Sequence, residues 1–351
     1  MSSPASGGVS SAAGTALWSS PEWQEGAVAW LDAQLGAAGR RRTGPVEQPH
    51  LRPWATALRA QTDGGVVWLE AASAGTAFEI QLYPLLQRTV PRWVLPPLAI
   101  DLERRWIVLP DGGECLGNSV PPDAIAPALR EVLPQYAALQ RELMPHTDEM
   151  LALGVSDMRA AALPAAFDEA LRVASAYAEQ RGNPQDRELC ARVGEQRELF
   201  AGWCRELAAA PVEPSLDHND LHPWNIFVQR SAPGAAIEAR FYDWGDSVLA
   251  HPFASLLVPL SQLRQRQQLE LDDARLLALR DVYLDSFSDA APAPDLIRTL
   301  ELASRCAKVA RALTWARALR FLSDEEAQNL ARAPLRWLGY LLDDEYLGIG
   351  G

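Results

Sequence analysis

The period of the apolar residues changes near residue 110, and this change limits the possible folds of the chain more than any other feature. Before it, β-branched and aromatic runs are separated by turn dipeptides, which predicts antiparallel strands. After it, apolar residues recur three and four positions apart, as on one face of a helix. The segment Pro110-Asp111-Gly112-Gly113 lies at the change and predicts a hinge. We therefore expect an α+β protein with a small antiparallel sheet followed by a larger, mostly helical part.

One turn in the N-terminal part sets the register of two strands. Asp63-Gly64 lies between two strand-like runs, which is the strongest short-range signal for a two-residue hairpin loop. A loop of that length pairs Thr62 with Gly65 and places Glu70 opposite Ala57.

The remaining elements are predicted from periodicity and from capping residues. In the N-terminal part they are a helix over 20–35 that begins at Ser20 and Pro21, a helix over 76–89, and a second hairpin that turns near 102–104. In the C-terminal part they are helices over 123–142, 165–181, 186–209, 268–287, 294–321 and 323–344, with one strand-like break at 213–243.

These elements suggest three regions. Residues 1–19 are rich in Ser, Gly and Ala, lack the basic and apolar stretches of a signal peptide, and are expected to be a disordered tail. Residues 20–110 form the β-rich lobe and residues 111–351 the α-rich lobe. Because no window contains eighteen consecutive apolar residues, no membrane-spanning segment is predicted.

Composition narrows the possible partners. The net charge of −13 argues against binding to nucleic acid or to an anionic membrane, and mildly favours cationic ligands. The four cysteines are far apart in sequence and form no C-x-x-C pair. This pattern indicates free thiols in a reducing cytoplasm rather than a zinc site or a disulfide framework.

The stretch "HNDLHPWN" is the densest group of polar residues, and by itself it has three interpretations. His218 and His222 are four residues apart and could bind one metal ion from a helix, but Pro223 disfavours helical geometry at His222. The stretch could also be a tight loop in which polar side chains satisfy the backbone. In the third interpretation, His218, Asp220 and Asn225 follow the pattern H-x-D-x-x-x-x-N of a phosphotransferase catalytic loop.

A second motif favours the third interpretation. Eighteen residues after Asn225, "FYDWGDS" provides Asp243 at the end of an apolar run. Phosphoryl transfer needs a carboxylate that accepts or orients the hydroxyl proton, and hard oxygen ligands that hold Mg²⁺ against the phosphates. Asp220 is therefore the candidate base, and Asn225 and Asp243 are the candidate metal ligands.

The two motifs, "HNDLHPWNIF" and "FYDWGDSVLAHPF", resemble those of the aminoglycoside phosphotransferase family of small-molecule kinases, which includes choline, homoserine and fructosamine kinase relatives. The resemblance covers nearly the whole chain. It implies a protein-kinase-like bilobal fold in which residues 20–110 bind ATP, sometimes GTP, and residues 111–351 carry the catalytic and substrate sites. The acceptor would be a hydroxyl of a small molecule, and the acidity of the chain fits an amine-bearing one.

The same resemblance implies further site residues. Backbone groups near Leu109 and Asp111 would hold the nucleotide base, and Glu79 would be the helix glutamate that pairs with a strand lysine. That lysine is absent, because Glu70 stands in its place and Lys308, the only lysine of the chain, lies far along the C-terminal part.

The phosphate-binding loop also departs from the family pattern. The segment "VEQPHLRPW" contains no glycine, although Arg52 within it could bind a phosphate. Asn219 replaces the usual glycine, and Ser255 stands where an aspartate often follows.

Two functional hypotheses follow from these departures. The first is an active kinase that uses Mg²⁺ and arginine in place of the lysine. The second is a catalytically weak or inactive kinase-like protein that binds a ligand or a partner. The sequence does not predict an oligomeric state.

Overall fold

A five-stranded antiparallel sheet forms the N-terminal part of the protein, in a computed structural model that describes residues 14–232 and 234–349. The strand order is β1-β2-β3-β5-β4. The strands are β1 Arg42–Leu51, β2 Ala55–Thr62, β3 Gly65–Ala72, β4 Ala99–Asp101 and β5 Trp106–Pro110. As predicted, Thr62 pairs with Gly65 and Glu70 with Ala57, so the Asp63-Gly64 loop does set the register.

Three helices belong to this part: α1 Thr15–Trp18, α2 Pro21–Ala37 and α3 Phe78–Thr89. The hydroxyl of Ser20 accepts the Trp23 N–H at the start of α2, which confirms the predicted cap. Of the predicted disordered tail, residues 1–13 lie outside the described residues. The prediction is wrong for residues 15–18, because they form α1 and Trp18 is buried.

The C-terminal part is mainly helical, with short strands at its centre. The helices are α4 Leu116–Ser119, α5 Ile125–Leu143, α6 Thr147–Ala152, α7 Leu163–Arg181, α8 Pro184–Glu195, α9 Arg197–Ala208, α10 Leu257–Gln267, α11 Ala274–Asp285, α12 Ala293–Leu319, α13 Asp324–Ala327 and α14 Ala333–Gly339. The strands are β6 Ser156–Asp157, β7 Ser215–Asp217, β8 Ile226–Gln229, β9 Glu238–Phe241 and β10 Val248–Ala250. The predicted α+β class, with an N-terminal antiparallel sheet and a helical C-terminal part, is confirmed.

Several element boundaries differ from the prediction. The run 186–209 is two helices that are separated at Gln196. Helix α10 was not predicted, and α11 begins later than expected because Gln268, with φ of 51°, ends α10 in a left-handed conformation. The predicted helix over 323–344 has the expected capping box at Ser323, but it is interrupted after α13 and a helix begins again around Pro334.

The sheet has an apolar layer on each face. Helix α2 covers the outer face, where Trp23 and Trp30 pack edge-on against Trp106, with ring centroids 5.8 and 5.5 Å away. The opposite face packs against α3, whose buried side chains continue into the core of the helical part. This arrangement leaves a cleft between the β1–β3 strands, α3 and the centre of the helical part. In the described residues, no helix is long and apolar enough to cross a membrane.

Candidate active site

The cleft encloses a cavity of about 480 Å³ that brings the two sequence motifs together. Asp220 and Asp243 line it from the helical part, and Arg52, Glu70 and Glu79 line it from the N-terminal part. The other lining residues are His50, Trp54, Ala55, Thr56, Ala57, Ala71, Ala72, Thr76, Ile80, Tyr242, Gly245, Asp246, Arg311, Thr314, Trp315 and Ala318.

Asp220 lies in the loop that follows β7. The preceding residue, Asn219, has φ of 61°, a left-handed conformation in which glycine is unstrained and asparagine is tolerated. Its side-chain amide donates to the backbone oxygen of Asp246 at 3.1 Å and to the hydroxyl of Thr314 at 2.9 Å. These bonds explain how asparagine can stand where the family pattern has glycine.

Two buried residues, His218 and Asp217, fix the position of this loop. The Nε2 atom of His218 lies 2.9 Å from the Tyr242 carbonyl oxygen, and burial lowers the pKa of His218 to about 4, so its ring is neutral near pH 7. Asp217 accepts the Asn219 N–H at 2.8 Å and the Ser255 hydroxyl at 2.6 Å. Burial raises the pKa of Asp217 to about 6. A second carboxylate at position 255 would repel Asp217, whereas the serine hydroxyl donates a hydrogen bond to it.

The structure places the two predicted metal ligands differently: Asp243 lines the cavity, whereas Asn225 does not line it but lies next to Asp220. Asn225 is buried, and its amide donates to the Asp220 backbone oxygen at 3.1 Å, which fixes it beside the cleft. Asp243 has φ of 64° and presents its carboxylate to the cleft. Although water reaches this carboxylate, burial by surrounding protein and the charges of Asp246, Asp220 and Glu70 raise the pKa of Asp243 to about 8.

These donors are of the type that Mg²⁺ prefers, namely carboxylate and amide oxygens. Burial and then the neighbouring carboxylates raise the pKa of Asp243, and a bound divalent cation would favour its charged form, so the residues fit the ion chemically. Among the described residues, no group of three or more His, Cys, Asp or Glu side chains is already placed around a single metal position.

Glu70 and Glu79 both line the cavity, from β3 and α3 respectively. The Oε1 atom of Glu79 accepts the Trp244 N–H at 2.9 Å, which connects α3 to the loop after Asp243. Burial, followed by the charges of Asp243, Glu70 and Asp246, raises the pKa of Glu79 well above its usual value. Burial raises the pKa of Glu70 to about 7.

Arg311 is a site residue that the sequence interpretation missed. It lies on α12, is only 5% exposed, and its Nη2 atom lies 3.2 Å from Oδ1 of Asp220. Its Nη1 atom donates to the Asn219 backbone oxygen at 2.6 Å and to Oδ2 of Asp246 at 2.9 Å. The mainly apolar run "CAKVARALTWARAL" contains three cationic residues, Lys308, Arg311 and Arg317, and could have indicated buried charges that need partners.

The residues expected near the nucleotide base lie apart from this cavity. Leu109 is buried in β5 opposite Trp68, and the Asp111 N–H donates to the Val66 oxygen at 3.1 Å. Neither residue lines the cavity that holds the carboxylates. Arg52 does line it, from the exposed turn between β1 and β2.

The fold is similar to that of solved small-molecule kinases and phosphotransferases. An ethanolamine kinase from Plasmodium vivax is similar over 90% of this chain and 88% of its own, with 11% identity and a TM-score of 0.62. A choline kinase from Streptococcus pneumoniae is similar over 89% and 98%, with 14% identity and a TM-score of 0.56. A macrolide 2'-phosphotransferase from Brachybacterium faecium is similar over 87% and 97%, with 17% identity and a TM-score of 0.51.

At these identities the likenesses show the fold alone, and they confirm the kinase-like bilobal architecture that the sequence resemblance implied. No protein-family model matches the sequence, and the comparison with curated proteins found no match.

Proposed function

We propose that the protein is a small-molecule kinase that transfers the γ-phosphoryl group of ATP, or of GTP, to a hydroxyl group of its substrate. The observation that carries this proposal is the convergence of Asp220 and Asp243, from separate motifs, on one cavity, with Asn225 fixed beside it. The similar fold of ethanolamine, choline and macrolide kinases supports it.

Each residue has a distinct role in the proposed reaction. The hydroxyl oxygen of the acceptor attacks the γ-phosphorus, the bond to the bridging oxygen breaks, and the nucleoside diphosphate leaves. Asp220 accepts the hydroxyl proton. Asn225 and Asp243 would hold Mg²⁺, which neutralises phosphate charge when bound.

The nucleotide would lie between the two lobes, with the boundary near residue 110. Arg52 would contact a phosphate from the β1–β2 turn, and backbone groups near Leu109 and Asp111 would bind the base. Glu79 would hold the loop after Asp243 through its bond to Trp244. The acidic cleft favours an acceptor that carries an amine besides its hydroxyl group.

A binding experiment followed by turnover tests this proposal. ATP or GTP with Mg²⁺ should raise the melting temperature, and a panel of hydroxyl-bearing amines should include one that stimulates ADP or GDP release. Asp220→Asn should reduce this release by ~10² or more while leaving nucleotide affinity nearly unchanged. Undiminished turnover in Asp220→Asn would refute the role of this residue as base.

The second candidate is a kinase-like protein that binds a ligand or partner without efficient catalysis. Glu70 favours it, because a carboxylate beside the phosphate position repels the nucleotide where a lysine would attract it. A wild-type protein that neither ATP nor GTP stabilises in the presence of Mg²⁺ would support this candidate over the kinase.

A further inference from the structure

The described part of the cleft contains few cations to offset its carboxylates. Five acidic side chains line the cavity: Glu70, Glu79, Asp220, Asp243 and Asp246. The arginines that line it are Arg52, which lies on an exposed turn, and Arg311, which is almost fully buried. A triphosphate entering this cavity therefore meets one cation whose position is fixed by packing.

The position of Arg311 is fixed from three sides. Its Nη1 atom donates to Asn219 and Asp246, its Nη2 atom contacts Asp220, and its guanidinium lies 5.0 Å from the centre of the Trp337 ring. Because these partners come from the catalytic loop, the segment after Asp243 and α14, the guanidinium cannot move without disturbing all three.

Donor capacity remains after these contacts. The Nη2 atom of Arg311 carries two N–H groups but contacts one carboxylate oxygen, Oδ1 of Asp220. An acceptor hydroxyl bound to Asp220 at ~3 Å, together with the phosphoryl group it attacks, would lie beside this remaining N–H group. An unmoving donor close to developing negative charge stabilises a transition state without reorganisation.

We infer that Arg311 provides, from α12, the fixed positive charge of the phosphoryl-transfer site that the N-terminal lobe lacks. It positions the Asp220 carboxylate and faces the γ-phosphoryl group. This inference rests on the proposed kinase function, and it identifies a residue far from both motifs that the reaction depends on.

A purely structural arginine would have different consequences. Lys308 provides the comparison, because it is a buried cation one turn earlier on α12 that donates to the Tyr340 backbone oxygen at 2.8 Å and does not line the cavity. Loss of Lys308 should lower stability without a selective effect on nucleotides. Loss of Arg311 should weaken the binding of nucleotides that carry the γ-phosphate more than the binding of nucleotides that lack it.

The test measures ATP·Mg and ADP·Mg affinities by calorimetry for the wild type, Arg311→Met, Arg311→Lys and Lys308→Met. We expect Arg311→Met to weaken ATP binding by ~10-fold or more, with ADP affinity changed less than about twofold. Turnover should fall by ~10² or more in kcat with a smaller change in KM, and Arg311→Lys should recover part of each loss. Lys308→Met should keep the wild-type ratio of the two affinities.

Arg311→Met leaves the Asp246 carboxylate without its ion-pair partner, and the variant protein could fail to fold for this reason. A second variant avoids the unpaired charge. The double variant Arg311→Gln/Asp246→Asn replaces the buried charges with a neutral hydrogen-bonding pair and should show the same selective loss for ATP. An unchanged ratio of ATP to ADP affinity in the folded double variant overturns the inference and leaves the proposed function intact. Failure of the wild type to bind ATP or GTP with Mg²⁺ overturns both.

Discussion

Glu70 is the residue that distinguishes this cleft most clearly from an ordinary kinase site. Burial raises the pKa of Glu70 to about 7, so its side chain changes charge close to neutral pH. Its position on β3 is determined by the hairpin register, which pairs Glu70 with Ala57. Because the Glu70 carboxyl group titrates near pH 7 in the folded state, we expect the free energy of unfolding of the ligand-free protein to depend on pH in this range.

The stability of the folded state should therefore depend on Glu70 as the pH rises. The pKa of Glu70 is raised from 4.5 to about 7, so the folded state binds a proton that the unfolded state releases. The stabilisation is complete below about pH 4.5 and is lost as the pH rises through 7. Glu70→Gln removes this loss, and we expect the variant to gain ~1–2 kcal/mol in free energy of unfolding at alkaline pH.

Urea unfolding of the wild type and of Glu70→Gln at several pH values between 4.5 and 8.5 would measure this gain. The titrations of groups that do not interact with Glu70 cancel in the difference between the two proteins at each pH, whereas Glu79 and Asp243, whose pKa values the charge of Glu70 raises, contribute to it. A difference that stays constant with pH would show that Glu70 does not titrate in this interval.

Replacement of Glu70 by lysine should restore the missing phosphate contact. Glu70→Lys converts a repulsive neighbour of the phosphates into an attractive one and gives Glu79 an ion-pair partner. We expect ATP·Mg affinity to rise by ~10-fold, measured by calorimetry against Glu70→Gln, which removes the charge without adding a cation. Weaker binding by Glu70→Lys than by Glu70→Gln would instead mean that the carboxylate itself contributes to ligand binding.

Sequence distance explains which candidate site residues were predictable. Asp220 and Asn225 lie in one short motif, and Asp243 follows closely, so their spacing alone indicated one centre. Arg311 lies more than ninety positions after Asn219, whose oxygen it bonds, and only the packing of α12 against the catalytic loop brings them together.

At the scale of elements, the connection between the two lobes is closely packed. A Cβ atom added to Gly112 would lie 2.3 Å from the ring of Phe227, and that ring stacks on Tyr242 at 4.1 Å between centroids. Gly112 follows β5, Phe227 is in β8, and Tyr242 directly precedes Asp243. The absence of a side chain at Gly112 thus lets the connector approach β8 and β9, the strands next to which the proposed metal ligands Asn225 and Asp243 lie.

A methyl group at Gly112 should disturb this contact. We expect Gly112→Ala to lower the free energy of unfolding by ~1–3 kcal/mol, because the ring of Phe227 cannot withdraw from its stack without loss of packing. The matched control is Gly26→Ala in α2, where an added Cβ has no neighbour within 4 Å and alanine should stabilise the helix by ~0.5–1 kcal/mol. Chemical denaturation of both variants measures the two effects.

The substitution Phe227→Val should partly offset the destabilisation that Gly112→Ala causes. A smaller side chain at position 227 should reduce the cost of Gly112→Ala, so that the double variant loses less than the sum of the single losses. Additive losses would indicate that Gly112 is sensitive for a reason other than the ring of Phe227.

Helices and strands whose ends are determined by nearby residues were predicted more accurately than those whose ends depend on contacts with distant parts of the chain. The Asp63-Gly64 turn and the Ser20 cap act within a few residues, and both were predicted correctly. The end of α10 depends on a left-handed residue, Gln268, and the start of α14 depends on contacts with distant helices. Periodicity alone therefore missed α10 and did not give the start of α14. The two-residue strand β6 pairs with β10 across ninety residues and has no local signal.

At the scale of the whole molecule, the N-terminal segment joins the two lobes. Thr15 donates from its backbone N–H and its hydroxyl to Oε1 of Glu326, at 3.0 and 2.6 Å, and Glu326 also closes the capping box of α13. On the other side, Gln48 of β1 donates to the Trp18 oxygen at 3.1 Å. Residues that the sequence predicted to be a tail therefore connect the sheet to the helical part, next to the cleft.

The bond between Thr15 and Glu326 should stabilise the folded protein in a pH-dependent way. Although partial burial opposes it, the hydrogen bonds from Thr15 and Ser323 lower the pKa of Glu326 from 4.5 to about 2. A lowered pKa stabilises the folded state above the unfolded value of 4.5, and this contribution is lost as the pH falls through about 2. We expect Glu326→Gln to cost ~1 kcal/mol in free energy of unfolding at neutral pH, and less as the pH falls below 4.5.

A double-mutant cycle with Thr15→Val separates the link between the lobes from the cap of α13. Thr15→Val removes the hydroxyl donor and leaves Ser323 in place, so it should cost less than Glu326→Gln. The two substitutions should show a coupling energy of ~0.5–1 kcal/mol at neutral pH, because they remove one shared hydrogen bond. Urea unfolding of the four proteins measures this coupling, and a value near zero would mean that the N-terminal segment does not join the lobes in solution.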